Sequence, residues 1–304
     1  ALAGLVLARS ASPAAQAALG RLADGAQPAA VALESGTILA TACGDGFVLH
    51  GQVGPVLGAD AESMLVLAAR SGERDVWVLL DATTDGVKLT EADAGDFSRA
   101  LATVQLAGVQ VTAEQVLTGV DTASVRDLAA ILAAAEAVGV ADWALRTAVD
   151  YAKVREQFGR PIGSFQAIKH LCAEMLCRTE LATAVAWDAA QAAGDDEQRP
   201  VAAAVAAATA LDTAVENAKD CIQVLGGIGF TWEHDAHLYL RRALALRSLL
   251  GGTAAWRRRV AELTLAGARR ELHVELGEVS ELRAEVRATV EQIAAFPDDE
   301  RRAA

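Results

Sequence analysis

The chain has 304 residues, is 53% hydrophobic but only 4% aromatic, and carries a formal net charge of −13. This length is enough for about two domains with buried cores, and the excess of alanine over aromatic residues favours closely packed helices. The acidic balance argues against nucleic acid as a partner, because a phosphate backbone attracts basic surfaces.

The four cysteines show no spacing that is typical of metal ligands. We therefore predict no metal site and buried free thiols at Cys172 and Cys177, which fits a reducing, cytoplasmic location. No apolar run reaches the length of a membrane span, so no membrane insertion is expected.

Residues 1–28 are predicted to form one or two short helices, with Pro13 opening the second. Because the chain starts with Ala inside an apparent helix, we expect the N-terminal part of this helical region to be missing. Residues 29–120 contain short β-prone runs such as TILATAC and DVWVLLDA, separated by turn sequences such as GDG and SGERD. These runs predict a small β sandwich or barrel.

Residues 121–268 show apolar positions at helical spacing. They predict four long helices with short connections, the third at about 199–225 and the fourth at about 236–266. The expected fold is therefore an α+β multidomain protein: a helical N-terminal remnant, a β middle domain and a C-terminal four-helix bundle. The charged, amphipathic tail at 269–304 is predicted to be a linker and a solvated helix with a frayed end.

The sequence YAKVREQFGRPIGSFQ, residues 151–166, interrupts the helical pattern. Arg155 offers a fork of donors suited to a phosphate, Phe158 a flat face for a ring, and Gln166 an amide. Ser164 is in position to cap the next helix. Taken alone, the stretch is more commonly a helix–turn–helix corner stabilised by surface charge.

The sequence QVLGGIGFTWEHD, residues 223–235, holds three glycines that let backbone amides approach a ligand closely. The stretch does not follow a strand, so it is not the dinucleotide fingerprint of a Rossmann fold. The alternative is a glycine-rich turn between helices.

Together and in this order, these stretches resemble the acyl-CoA dehydrogenase family, up to about residue 266. The matching residues are Tyr151, Arg155, Gln157–Phe158–Gly159, Phe165–Gln166, Gln223, Gly226–Gly227 and Gly229. The resemblance implies FAD as cofactor and removal of hydrogen from the α and β carbons of an acyl-CoA, in fatty acid or steroid side-chain β-oxidation. It also implies that the ADP end of a neighbouring subunit's FAD is held by Arg155, Gln157, Phe158, Gln166, Gln223, Gly226 and Gly227.

The family's catalytic glutamate, which takes the α proton, has no counterpart here. Alignment from the glycines places its position at Leu250, or at Gly251 if the register shifts by one, and the alternative position on the earlier helix at Ala129. Two nearby acids are weak candidates for a displaced base. Glu136 is interpreted as structural, and Glu233 as a residue that orients the glycine loop or the cofactor.

The flavin-contacting loop of the β domain is also shorter than the family pattern, with Ser35 following Glu34 where proline is usual. The tail SELRAEVRATVEQIAAFPDDERRAA resembles the opening helix of a second dehydrogenase domain. The chain therefore resembles the non-catalytic half of a fused or heteromeric actinobacterial acyl-CoA dehydrogenase. Its expected partners are a catalytic dehydrogenase domain or subunit, the acyl-CoA, and an electron-transfer flavoprotein as electron acceptor.

Two alternatives remain open. One is a self-sufficient homo-oligomeric dehydrogenase with a relocated base. The other is a scaffold that keeps the fold without flavin, although such a protein would not need Arg155, Gln166 or the glycines.

Overall fold

The computed structural model describes residues 1–271 and 280–294. It begins with α1 (Leu2–Leu7) and α2 (Pro13–Ala23). The hydroxyl of Ser12 accepts a hydrogen bond from the Ala15 N–H, and Pro13 occupies the first helical turn, as predicted. Both helices bury apolar side chains against one face of the sheet.

Seven strands in the described part of the chain form one sheet. They are β1 (Ala29–Val31), β2 (Leu39–Cys43), β3 (Gly46–Leu57), β4 (Met64–Ser71), β5 (Arg74–Asp81), β6 (Val87–Glu91) and β7 (Leu101–Val111). The order is β1-β4-β2-β3-β7-β6, and β5 pairs with β4. The opposite face covers a second apolar core that includes Leu49, Leu67, Val78 and Val104. The predicted small β domain is confirmed.

Five helices follow in the unit that spans Ala1–Arg269. They are α3 (Thr122–Val154), α4 (Gln166–Gln191), α5 (Arg199–Leu225), α6 (Ala236–Leu249) and α7 (Thr253–Leu265). The central α5 packs against the other four through a core made largely of alanine, so the helices lie close together.

The predicted fourth helix, at about 236–266, is in fact two helices. The chain turns between α6 and α7 at Gly251 and Gly252, whose φ angles are 80° and 78°. Only glycine adopts this left-handed conformation at low cost, so the paired glycines end α6.

Helix α3 is long and apolar enough to cross a membrane, contrary to the expectation from sequence, with a mean hydropathy of 1.7 over its most apolar stretch. Residues making up 56% of that stretch are buried inside the protein. Its alanines pack against α5, so its apolar character follows from its place in the bundle core.

The four cysteines are free. The prediction that both Cys172 and Cys177 are buried is wrong, because Cys177 is exposed on α4 and Cys172 is only half-buried. Cys221 is buried within the bundle, and this burial raises the pKa of its thiol to about 12.

The helix α8 (Ser280–Ala294) belongs to a separate unit. Leu282, Val286 and Val290 recur every four residues along it and are 57%, 53% and 58% exposed. The helix therefore carries an apolar stripe on one face.

Candidate functional site

The α3–α4 corner, residues 155–166, projects an aromatic ring into solvent. Helix α3 ends at Val154, because Arg155 has extended backbone angles. A hairpin of two short strands follows, β8 (Glu156–Gln157) and β9 (Arg160–Pro161), each two residues long. At its tip Phe158 has a φ of 55° and is 91% exposed. A left-handed conformation costs a non-glycine residue about 1–2 kcal/mol, and such strain is found most often at functional sites.

The polar side chains of this corner are exposed. Arg155 and Gln157 point to solvent, and within residues 1–271 and 280–294 the Arg155 guanidinium forms no hydrogen bond or ion pair. Gln166 is the first residue of α4, and its Nε2 lies 3.4 Å from His170 Nε2. The expected cap by Ser164 is wrong, because Phe165 holds the N-cap position. The corner thus presents free donors beside an aromatic face.

The glycine turn, Gly226–Phe230, follows α5 as a short 3₁₀ helix, and its glycines have different requirements. Gly226 has a φ of 62°, which favours glycine. A Cβ added to Gly229 would lie 2.8 Å from the Ile222 carbonyl oxygen, so Gly229 is needed for packing. A Cβ on Gly227 would meet no atom within 4 Å, and its φ requires no glycine. Gly227 therefore leaves the backbone open to an approaching group.

One hydrophobic cluster supports both stretches. Ile162 of the α3–α4 corner and Ile168 of α4 pack against it, while Ile222 and Leu225 join it from the end of α5. Gln223 is exposed on the same helix end. The structure thus places the predicted cofactor-binding residues around a single core, on elements that are far apart in sequence.

A cleft of about 640 Å³ lies between the sheet and α6. Gly251 lines it, whereas Leu250 is buried and its carbonyl accepts a hydrogen bond from Trp256 Nε1 at 3.0 Å. Ala129 is buried in the bundle core. Of the positions considered for the base, Gly251 is therefore the one that faces the cleft, and it has no side chain.

The corner that carries Gly251 is firmly held. Asp212 on α5 accepts hydrogen bonds from Arg247 at 3.2 Å, Thr253 at 2.6 Å and Arg257 at 2.8 Å. These contacts join the end of α6 to the start of α7, so the glycines between them have a fixed place at the cleft.

The two acids considered as displaced bases have other surroundings. Both carboxylate oxygens of Glu136 accept hydrogen bonds from Arg242, at 2.7 and 2.9 Å, so this carboxylate is held in an ion pair. Glu233 is exposed and is not among the residues that line the cleft. Its backbone N–H donates to Thr231 Oγ1, which ties it to the segment after the glycine turn.

Sequence reasoning missed a cluster of charges at the cleft. Arg242 also donates to Asp96 at 2.9 Å, and both side chains are buried. Burial acts to raise the pKa of Asp96, but hydrogen bonds from Ser98 and Arg242 outweigh it and hold the pKa below its ordinary value. Exposed carboxylates of Glu34 and Asp93 also line the cleft. The consecutive arginines on α6 were visible in the sequence, but their partners lie far away along the chain.

Comparison with known proteins agrees with this geometry. Residues 124–265 match the acyl-CoA dehydrogenase C-terminal domain. The chain is 50% identical over 285 residues to acyl-CoA dehydrogenase FadE34 of Mycobacterium tuberculosis, covering 93% of this chain and 38% of that protein. It is 36% identical over 249 residues to acyl-CoA dehydrogenase IpdE2 of the same organism, covering 82% and 66%. The chain belongs to the acyl-CoA dehydrogenase family.

Acyl-CoA dehydrogenase structures share its fold as well. A chain of the ChsE4–ChsE5 complex from Mycobacterium tuberculosis superposes with a TM-score of 0.82 at 27% identity, covering 88% of this chain and 74% of that one. The family assignment made from the two motifs is thus confirmed, and members of this family are FAD-dependent oxidoreductases. The chain spans 38% of FadE34 and about two thirds of IpdE2.

Proposed function

We propose that this chain is a base-lacking half of an acyl-CoA dehydrogenase, which completes the FAD site of a catalytic partner domain. One observation carries the proposal: Arg155, the residue best suited to a phosphate, is exposed and has no ion pair among the described residues, while Gly251 stands at the cleft where a base is expected. A surface that offers donors without an internal partner is suited to a group held by another domain.

The exposed residues fit the ADP end of FAD. Arg155 has the planar fork of donors that suits a pyrophosphate, and the open backbone at Gly227 lets an amide approach the same anion. Phe158 offers a ring face, and Gln223 and Gln166 offer amides. When bound, FAD supplies the hydride acceptor for dehydrogenation of an acyl-CoA at its α and β carbons. The role of this chain is to bind and orient the cofactor.

Two relatives support a second dehydrogenase domain or subunit as the partner. FadE34 is much longer than the part that this chain matches, and ChsE4–ChsE5 is a complex of two proteins. We therefore propose a second dehydrogenase domain or subunit as partner, and an electron-transfer flavoprotein as acceptor of the electrons. The apolar stripe of α8 supports its assignment as the opening helix of such a domain.

Expression of this chain with and without a catalytic partner, such as the remaining part of a FadE34-like protein, tests the proposal. We expect flavin absorbance and acyl-CoA-dependent bleaching of the flavin only from the combined protein. Bleaching by this chain alone would contradict the proposal. A combined protein that lacks flavin absorbance would favour the flavin-free scaffold instead.

A self-sufficient dehydrogenase is the second candidate, because the exposed carboxylates of Glu34 and Asp93 line the cleft. Either could accept a proton there, whereas Glu136 would first have to leave Arg242. Replacing a general base lowers turnover by about 10²–10⁴-fold. If this chain alone turns over an acyl-CoA and Glu34→Gln and Asp93→Asn leave that turnover unchanged, neither residue is the base; no turnover by the chain alone would refute a self-sufficient dehydrogenase.

A further inference from the structure

The β6–β7 loop, residues 92–100, forms one wall of the cleft. It has no regular secondary structure, and it contributes to the lining Asp93, Ala94, Gly95, Asp96 and Arg99. Its two ends are joined, because the Ala92 N–H donates to the Leu101 carbonyl at 2.8 Å. The Gly58 N–H also donates to the Ala100 carbonyl at 2.8 Å, so both ends of the loop are anchored and residues 93–99 form the segment between the anchors.

A buried ion pair attaches the middle of this loop to α6. Arg242 is 9% exposed and Asp96 is 6% exposed, and Nη1 of the arginine lies 2.9 Å from Oδ2 of the aspartate. The Nε and Nη2 atoms of Arg242 donate to Glu136 on α3, which keeps the guanidinium in place. Without the Asp96 carboxylate the Arg242 guanidinium would still pair with Glu136, but the charge-assisted hydrogen bond that attaches the loop would be lost.

The preceding arginine attaches the outer side of the loop more weakly. Arg241 Nη1 donates to the Gly95 carbonyl at 2.8 Å, and its guanidinium lies 4.5 Å from the Phe97 ring and 5.7 Å from the Trp232 ring. Both rings are largely exposed. Exposed contacts of this kind are easily exchanged for water, so Asp96 and Arg242 form the main attachment.

The rest of the cleft is suited to a hydrocarbon. Its other walls are mainly aliphatic and include Leu33, Val53, Leu57, Leu101, Leu244 and Leu249. Among the described residues that line the cleft, none is aromatic. Such a lining offers no flat surface for stacking a heteroaromatic ring, but it matches an acyl chain or an alicyclic group.

We propose that the β6–β7 loop is a gate over an aliphatic-binding cleft and that the Asp96–Arg242 ion pair latches it. The latch sets how fast a hydrocarbon group enters and leaves this half of the enzyme. The inference goes beyond the proposed function, because it needs neither flavin nor catalysis. A half that lacks a base would thus still bind an aliphatic group.

Limited trypsin digestion of the full chain measures gate opening, because Arg99 is exposed in the loop. In Asp96→Asn the amide oxygen can still accept the hydrogen bond from the Ser98 N–H, but the side chain no longer carries the negative charge that pairs with Arg242. Since loss of a charge-assisted hydrogen bond raises the open population about tenfold or more, we expect cleavage after Arg99 to accelerate by that factor. Cleavage after Arg74, which is the exposed first residue of β5, serves as the internal reference.

Asp85→Asn makes the same chemical change at an exposed site outside the loop, and cleavage at Arg99 should match that of the unmodified chain. Equal cleavage at Arg99 in Asp96→Asn and the unmodified chain would overturn the gate. If Asp96→Asn does not fold, Arg241→Gln, which removes only the outer attachment, should still raise cleavage about twofold. No increase in that variant would equally count against a gate.

Stopped-flow binding of cis-parinaric acid, a fluorescent fatty acid, separates a gate from a fixed wall. If the loop closes equally well over the empty and the occupied cleft, Asp96→Asn should raise both the association and the dissociation rate of cis-parinaric acid. The Kd should then change little. A change in Kd at unaltered association rate would show that the loop is only a wall. Absence of binding in both proteins would refute the aliphatic site.

Discussion

The α3–α4 corner and the α6–α7 corner belong to one helical bundle, but the polar side chains of the first are exposed whereas those of the second are hydrogen-bonded to Asp212. The first keeps Arg155 and Gln157 exposed and leaves Phe158 in a strained conformation at the surface. The second is closed: Asp212 holds both helix ends and Leu250 is packed into the core. In the function proposed above, the first corner binds the cofactor and the second holds the position of the base, so one role can be lost while the other stays.

The strongest test of this contrast is Arg155→Ala. The side chain is exposed and has no ion pair in the described ranges, so the free energy of unfolding should stay within about 0.5 kcal/mol of its original value. If Arg155 contacts the FAD pyrophosphate of a partner, loss of this charge-assisted bond weakens FAD binding about 10–150-fold. The change in FAD affinity is measured by titrating FAD into the combined protein after its flavin has been removed.

Lys153→Ala is the matched control, because Lys153 is an exposed cation two residues earlier whose one ion pair within the described residues is with nearby Asp150. FAD affinity should stay the same in this variant. If both variants weaken binding equally, the effect comes from overall charge, and the specific role of Arg155 is refuted.

A second test separates the two kinds of glycine in the glycine turn. Gly229→Ala forces a Cβ to within 2.8 Å of a carbonyl oxygen and should lower the free energy of unfolding by about 1–3 kcal/mol. Gly227→Ala has open space and should leave stability unchanged, yet weaken FAD binding in the combined protein by blocking close approach. Urea denaturation and flavin titration of both variants give the two readouts. Equal flavin affinity in Gly227→Ala and the original protein would remove Gly227 from the site.

Much of the architecture followed from local patterns. Turn sequences and β-prone runs predicted the sheet, and apolar spacing predicted α3 to α5. The break between α6 and α7 was predicted only in part, because the paired glycines indicated a helix end while the apolar spacing over about 236–266 indicated one helical segment. It depends on the left-handed φ of Gly251 and Gly252, which the helical periodicity around them conceals.

The candidate site was predictable only where residues act close together in sequence. Arg155, Gln157 and Phe158 share one corner, so their motif was visible. Arg242 and Asp96 are 146 positions apart, and their ion pair depends on how the β domain meets α6. The choice between the two candidate positions of the base also required the structure, because Leu250 is buried in the core whereas Gly251 lines the cleft.

A third test concerns Asp127 on α3, which lies near the closed corner. Burial raises the pKa of this carboxyl to about 6, against the attraction of Arg259 at 2.7 Å on α7 and of Arg199 on α5 and Arg126 beside it. Asp121 on the same helix start adds to the rise. The folded protein therefore holds a proton on Asp127 at pH values where the unfolded chain has lost it.

The sign follows from this difference in proton binding. The stabilising contribution of protonation is fully present below the unfolded pKa near 3.8 and is lost as pH rises through the folded pKa of about 6. Relative to Asp127→Asn, the unmodified chain should lose about 1–3 kcal/mol of unfolding free energy between these values, measured by urea denaturation. Asp121→Asn is the counterpart. Burial acts to raise the pKa of the Asp121 carboxyl, but hydrogen bonds from Ser124 and Ala123 outweigh burial and hold this pKa below its ordinary value. Its contribution should therefore be lost only as pH falls below about 4, and a loss at the same pH for both residues would contradict the assignment.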